Sequence, residues 1–203
     1  VMMPATAYDA KGLLLASLEE KGTVISIEHR LLYEMETPVP EEHYTIPLGK
    51  GDIKRKGRDI TIVAFSYMVK EALEAAEVLA KEEIEVEVID PRCTSPLDID
   101  LILESVRKTK RLLVTDTSWT RYGVSAEICA QVCEEAFDVL EAPVKRVALP
   151  DVNTPCGSNL EKEFYPGVES LVQAARTLMG QQQRVTVNAK SVSTEHSSFQ
   201  GPF

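Results

Sequence analysis

The 203 residues carry a formal net charge of −10 with 44% hydrophobic side chains, enough apolar mass for a packed core and too acidic for nucleic acid or an anionic membrane as the main partner. No apolar run nears the roughly 20 residues of a membrane span, and no basic segment leads into an apolar signal core. Four cysteines without a CxxC pair argue against a zinc site or a disulfide framework, and reduced thiols fit a cytoplasmic protein, or a mitochondrial-matrix one in a eukaryote.

The chain starts on apolar residues, Val1-Met2-Met3-Pro4, as if cut inside or just after a buried strand. Thr6 and Asp9 then mark the start of a helix with the stripe Ala10, Leu13, Leu14 and Leu18, and a strand is expected from Thr23 to Glu28. Residues 1–33 thus read as half a domain, belonging to a sheet other than the central one. From Glu34 to Gly57, prolines and glycines interleave with charged residues, which favours an extended linker.

The centre of the chain alternates strand and helix with almost no spare residues. Ile60 to Phe65 is a nearly continuous apolar run, suited to a strand buried on both faces. Met68, Ala72, Ala75, Ala76 and Leu79 place a helix over Tyr67 to Lys81, and Val86 to Ile89 forms the next strand. Ser95-Pro96-Leu97-Asp98 has the form of a helix start, with Ser95 as cap and Ile99, Ile102, Leu103 and Val106 as the buried stripe. Arg111 to Thr115 makes a third strand, Thr117 to Tyr122 a polar loop, and Ile128, Cys129, Val132, Cys133 and Ala136 one face of a further helix. A strand over Val144 to Leu149 and a helix through Val168, Leu171, Val172, Ala175 and Leu178 close the domain. Strands joined by single helices are parallel with right-handed crossovers, so the fold class is α/β. Residues 181–203 form a polar tail.

The strand ends place Ser66, Asp90 and Asp116 on the carboxyl edge of the sheet, where open α/β folds bind ligands. The turn Ser66-Tyr67-Met68 lacks the glycines that admit a pyrophosphate, and acids capping helices or meeting a partner explain the same residues. His29, His43 and His196 lie far in sequence from the nucleophile candidates Ser66 and Cys93, so no hydrolase triad is apparent. Cys129 and Cys133, four apart without a third ligand, read as small buried hydrophobes rather than a metal clip. The residues alone describe a well-built α/β domain without a self-contained active site.

Several motifs in one order carry a family resemblance: Pro4 to Leu14, Glu28 to Tyr33, Pro47 to Gly51, Asp59 to Val63 with Met68-Val69 and Ala72-Leu73, and Val88 to Arg92. Pro96 to Asp98, Ala126 to Ile128, Ala142 to Val144 with Arg146-Val147, and Asp151 with Pro155 continue it, over residues 1–179. The chain resembles the beta subunit of the thiamine-diphosphate-dependent component of 2-oxo acid dehydrogenases of the pyruvate, branched-chain and acetoin type. That resemblance implies the remnant of a pyrimidine-binding domain at 1–33, a linker at 34–57, and at 58–180 a transketolase C-terminal-domain-like three-layer α/β/α sandwich with a mostly parallel sheet.

The resemblance implies an oxidoreductase component acting in oxidative decarboxylation, of which this part serves subunit assembly and docking of an acyltransferase core and is inactive alone. Thiamine diphosphate and Mg would be held in the intact heteromer with an alpha subunit, outside these residues, while homodimer contacts involve this part. It also implies a structural K site with carbonyl ligands from Ser17, Glu20 and Gly22. Two features depart from the family: Arg121-Tyr122-Gly123-Val124 replaces its Gly-Gly-Phe-Gly loop, and the tail extends beyond the family's usual end. The alternatives are a stand-alone α/β interaction or ligand-binding module, or the C-terminal domain of a transketolase or deoxyxylulose-phosphate synthase relative.

Overall fold

A computed structural model describes residues 1–180, so the expected polar tail and His196 lie outside the described residues. Five strands form one sheet in the order β1-β3-β2-β4-β5: β1 (Asp52–Arg55), β2 (Ile60–Ala64), β3 (Val86–Asp90), β4 (Leu112–Trp119) and β5 (Lys145–Leu149). β2, β3, β4 and β5 are mutually parallel and β1 pairs antiparallel with β3. Every residue of β2 and β3 is buried, the polar Thr61, Glu87 and Asp90 included, as strands covered on both faces require.

Alternate residues of these strands feed two cores. Ile60, Ile62, Ala64, Val86 and Val88 pack on one face with α2 (Tyr67–Ala80) and, of the elements after β5, with α6 (Val168–Leu178). Val63, Phe65, Ile89, Leu112 and Val114 pack on the other with α3 (Ile99–Thr109) and α4 (Val124–Ala136). The expected three-layer α/β/α sandwich is present. Within the second layer one polar pin joins helix to sheet: Thr61 Oγ1 lies 2.6 Å from the hydroxyls of both Ser105 and Thr109. Beside it the buried Glu87 accepts from Ser105, Lys108 and the backbone N–H of Gly57.

Helix ends differ from expectation in two places. α3 begins at Ile99 with Asp98 at its N-cap position, not at Ser95, and Pro96 lies in the loop before it. Asp98 faces away from its own helix, accepting from Gly51 N at 3.0 Å. α6 has no cap from its own N-terminus; Glu71 on α2 accepts from Val168 N at 3.1 Å and places a carboxylate at the positive end of the helix dipole.

The expected loop over Thr117 to Tyr122 is partly strand, because β4 overhangs its neighbours and pairs Trp119 with Leu149 after a bulge. A short helix, α5 (Ser158–Phe164), and a 3-10 turn over Arg30–Glu34 had no signal in the apolar pattern.

α1 (Ala7–Ser17) is capped by Thr6, which accepts from Asp9 N as expected. Its buried face is Asp9, Gly12, Leu13 and Ala16, whereas Leu14 and Leu18 of the expected stripe are exposed. The helix is turned because its partner is polar on one side. The strand expected from Thr23 to Glu28 is not formed; Met2 makes single bridges to Ser26 and Cys93 instead. Residues 34–57, expected as a linker, contribute β1 to the sheet and pack Ile46 on α1 through Ile46 N to Gly12 O at 3.0 Å. A Cβ on Gly12 would lie 2.6 Å from Ile46, so glycine permits this contact.

Candidate functional site

Three places bear chemistry. The first is the exit of α1. Ser17 O accepts from Glu20 N, and Ser17 Oγ donates to Leu14 O at 2.7 Å, so of the three expected ion ligands Ser17 and Glu20 share the turn that ends α1, and Gly22 follows in the next bend. Glu20 and Gly22 line a cavity of about 280 Å3 together with Val24, Leu48 and Pro96; Ser17 does not reach it. The last turn of α1 carries no Lys or Arg, which leaves the negative end of the helix dipole without a side-chain cation. Backbone oxygens are the donor type a hard monovalent ion takes, and of the three expected ligands only Glu20 and Gly22 line the cavity.

The second place joins α1 to the sheet edge. Asp9 is fully buried and accepts from Thr6 Oγ1, from Lys54 Nζ at 2.9 Å and from Arg92 Nε at 2.8 Å. Lys54 comes from β1 and Arg92 from the turn after β3, and both also contact Asp52 on β1, at 3.0 and 3.2 Å. Asp90 lies 3.7 Å from Lys54 with Oδ2 otherwise unpartnered. Burial tends to raise Asp9, but the Thr6 and Lys54 hydrogen bonds and the two cations outweigh it and hold the carboxyl below its usual range. Burial, only partly offset by Lys54, pushes Asp90 up to about 7. This cluster clamps the first helix onto the domain.

The third place is the carboxyl edge between β2 and β4, the switch point of the sheet, where α2 after β2 and α4 after β4 leave on opposite faces. Ser66 has φ 50° and its Oγ donates to Pro4 O at 3.2 Å, a buried tie to the N-terminal segment. Asp90 and Asp116 each accept from the backbone N–H two residues on, Arg92 and Ser118, forming Asx turns rather than helix caps. The sheet edge therefore does not bring Ser66, Asp90 and Asp116 to a common point. A crevice of about 490 Å3 opens next to Ser66 and Asp116, walled by His29, Tyr67, Glu71, Thr117 and Tyr165. His29 stacks on Tyr67 at 4.8 Å, takes a hydrogen bond from Leu31 N on Nδ1, and is held below its ordinary value by burial.

Nothing in this crevice pairs a nucleophile with a base among the described residues. Cys93 is buried, and burial pushes its thiol up; Cys129 is pushed up to about 11 for the same reason. Cys129 is half-buried, as expected of a small hydrophobe, whereas Cys133 is exposed. What these contacts do is hold: they fix the N-terminal segment and α1 against the sheet.

Asp9, Lys54 and Arg92 were not recognisable as a unit from the residues. The available signal was that Asp9 shares a helical face with Gly12, Leu13 and Ala16, and that Asp52 and Lys54 fall on one side of a short strand.

Comparison with known proteins agrees with this geometry. The family described as transketolase, C-terminal domain, matches residues 49–171, beginning just ahead of β1. The beta subunit of acetoin:2,6-dichlorophenolindophenol oxidoreductase from Bacillus subtilis (strain 168) is 43% identical over 180 residues, covering 89% of this chain and 53% of that protein. Pyruvate dehydrogenase E1 component subunit beta-1, mitochondrial, from Arabidopsis thaliana is 46% identical over 180 residues, covering 87% and 50%. Among solved structures, a split gene transketolase described as an inactive beta4 tetramer superposes with a TM-score of 0.73 at 24% identity, over 90% of this chain and 57% of that one, a likeness of fold. The chain spans about half the length of the curated relatives it matches.

Proposed function

The chain belongs to the transketolase C-terminal domain family, and from that premise we propose that it is the C-terminal, assembly-bearing part of a thiamine-diphosphate-dependent 2-oxo acid dehydrogenase beta subunit. The observation that carries the proposal is the similarity, at 43 to 46% identity over about 180 residues, to beta subunits of acetoin:2,6-dichlorophenolindophenol oxidoreductase and of the pyruvate dehydrogenase E1 component. The enzyme class is oxidoreductase, the process oxidative decarboxylation, and the compartment cytoplasm or mitochondrial matrix. Among the described residues no helix is long and apolar enough to cross a membrane.

Thiamine diphosphate supplies the carbanion-stabilising chemistry when bound in the complete heteromer, and Mg accompanies its diphosphate. This chain's own residues orient and assemble. The Asp9, Lys54 and Arg92 clamp fixes α1 and its proposed ion-binding exit at Ser17, Glu20 and Gly22 as the support on which the cofactor-bearing half rests. Leu14, Leu18, Ile25, Ile27, Leu31 and Tyr33 expose an apolar face on that segment. That face is proposed to meet the alpha subunit or a second beta subunit, while docking of an acyltransferase core falls to the C-terminal domain.

A chimera tests the reading. The N-terminal half of the Bacillus subtilis pyruvate dehydrogenase beta subunit, joined to this chain and assembled with the rest of that enzyme, is expected to restore 2-oxo-acid-dependent dye reduction. An assembled, folded chimera without activity would overturn the proposal. Titration calorimetry of the 203 residues with thiamine diphosphate and Mg is expected to give no saturable heat; micromolar affinity, worth about 8 kcal/mol, contradicts placement of the cofactor groups outside this part. For the ion, the melting temperature is expected to be higher in KCl than in tetramethylammonium chloride at equal ionic strength, and equal values argue against it.

A further inference from the structure

We infer that the open edge of β5 and the apolar stripe of α4 beside it form a docking groove for an extended, acidic and apolar peptide segment of another protein. The inference goes beyond the dehydrogenase reading and does not depend on it. β5 is the last strand of the sheet among the described residues. Thr115 Oγ1 and Thr120 N donate to the carbonyls of Val147 and Leu149, so those groups face β4. Alternation along the strand then turns the N–H and C=O of Arg146 and Ala148 toward the open edge.

α4 overhangs this edge. Its Ala126, Cys129, Cys133 and Phe137 recur at helical spacing and, with Pro143 and Arg146, wall a groove of about 870 Å3; Phe137 is 72% exposed. A strand added to β5 would satisfy the outward backbone groups and lay alternate side chains over that stripe.

Charge selects the occupant. Lys145 and Arg146 are exposed, and among the described residues neither is ion-paired; Arg146 instead donates to Thr120 O at 2.6 Å. Two acids line the same groove: Glu141 is already held by Lys110 and Arg111, and Asp138 is exposed on the 3-10 turn that follows α4, off the strand edge. On a chain of net charge −10, two unpaired cations on one strand edge call for an acidic segment. A second copy of β5 would bring the same two cations. Residues 181–203 carry two Lys or Arg against one acid, a charge balance that does not complement these cations.

The probe is a fluorescein-labelled heptapeptide alternating valine with glutamate, titrated with the full chain and read by anisotropy. Expected are saturable micromolar binding and about tenfold weaker binding of the valine–lysine counterpart and of a peptide N-methylated at alternate amides. Arg146→Glu reverses the charge preference. Ala148→Pro removes an outward donor that an edge strand can spare, so it abolishes binding while the melting temperature stays near that of the parent. Equal affinity for acidic and basic peptides, undiminished binding by Ala148→Pro, or no binding at all overturns the inference. So does a dimer abolished by Ala148→Pro, which assigns the edge to a second copy. Binding that emerges only after deletion of residues 181–203 assigns the edge to the chain's own end and overturns it equally.

Discussion

Replacing Asp9 with Asn tests whether the buried clamp, rather than the apolar face of α1, holds the N-terminal segment on the domain. The Asp9 side chain is 0% exposed, and its cations are nearly as enclosed, Lys54 at 13% and Arg92 at 12%. Asn keeps the volume and an acceptor for Thr6 but leaves two buried cations facing only Asp52, which is 42% exposed, and Asp90, which burial leaves only partly ionised at pH 7. Removing one partner of a buried pair costs about 3–5 kcal/mol, and the contacts to Asp52 place this case near the lower end, at about 3 kcal/mol. With a urea dependence of about 2 kcal/mol per molar, the unfolding midpoint falls by about 1.5 M. Urea titration at pH 7 followed by far-ultraviolet circular dichroism reads the loss, and hydrogen exchange places the loosened amides in residues 1–30. Adding Lys54→Met removes one stranded cation, so the double variant should be more stable than the sum of the single losses requires. A single-variant loss below about 1 kcal/mol, or strict additivity, would refute the clamp.

Three further outcomes follow from individual contacts. Asp90 is pushed up to about 7 from 3.8, so between those values the folded chain holds a proton that the unfolded chain has lost, and this group's contribution to stability falls as pH rises through the window; Asp90→Asn should flatten that slope and melt higher than the parent at pH 8 but not at pH 4, and an unchanged pH profile would contradict the assignment. Gly57→Ala places a Cβ 2.1 Å from Val86 C and 2.2 Å from Glu87 N, backbone atoms that yield only if the strand moves, so a loss of about 1–3 kcal/mol is expected in chemical denaturation. Ile62→Ala, at a position with 0% exposure in the central strand, should cost about 3–4 kcal/mol by the same measurement, and a loss under 1 kcal/mol would mean the core re-closes around the gap.

The sequence by itself determined the middle of this protein. β2 and β3 are read directly because strands covered on both faces are short, β-branched and largely apolar, and α2 and α6 because one stripe of each helix must meet a sheet. The family was legible too, since many short motifs in one order are far more specific than any single one. Tertiary structure alone decided the edges. β1 is a strand made of Asp52, Ile53, Lys54 and Arg55, a composition without strand periodicity, and it forms because β3 offers a pairing edge and Asp9 and Asp90 await a cation. α1 turns Asp9 inward and Leu14 outward because Arg92, 83 positions away, sits beneath it, and no local pattern records a partner that distant. The start of α3 moved from Ser95 to Ile99 because Asp98 is drawn to the Gly51 amide across the fold. Local hydrophobic period fixes which segments are buried on all sides; where a segment is buried on one side only, the side is chosen by whatever the rest of the chain brings against it.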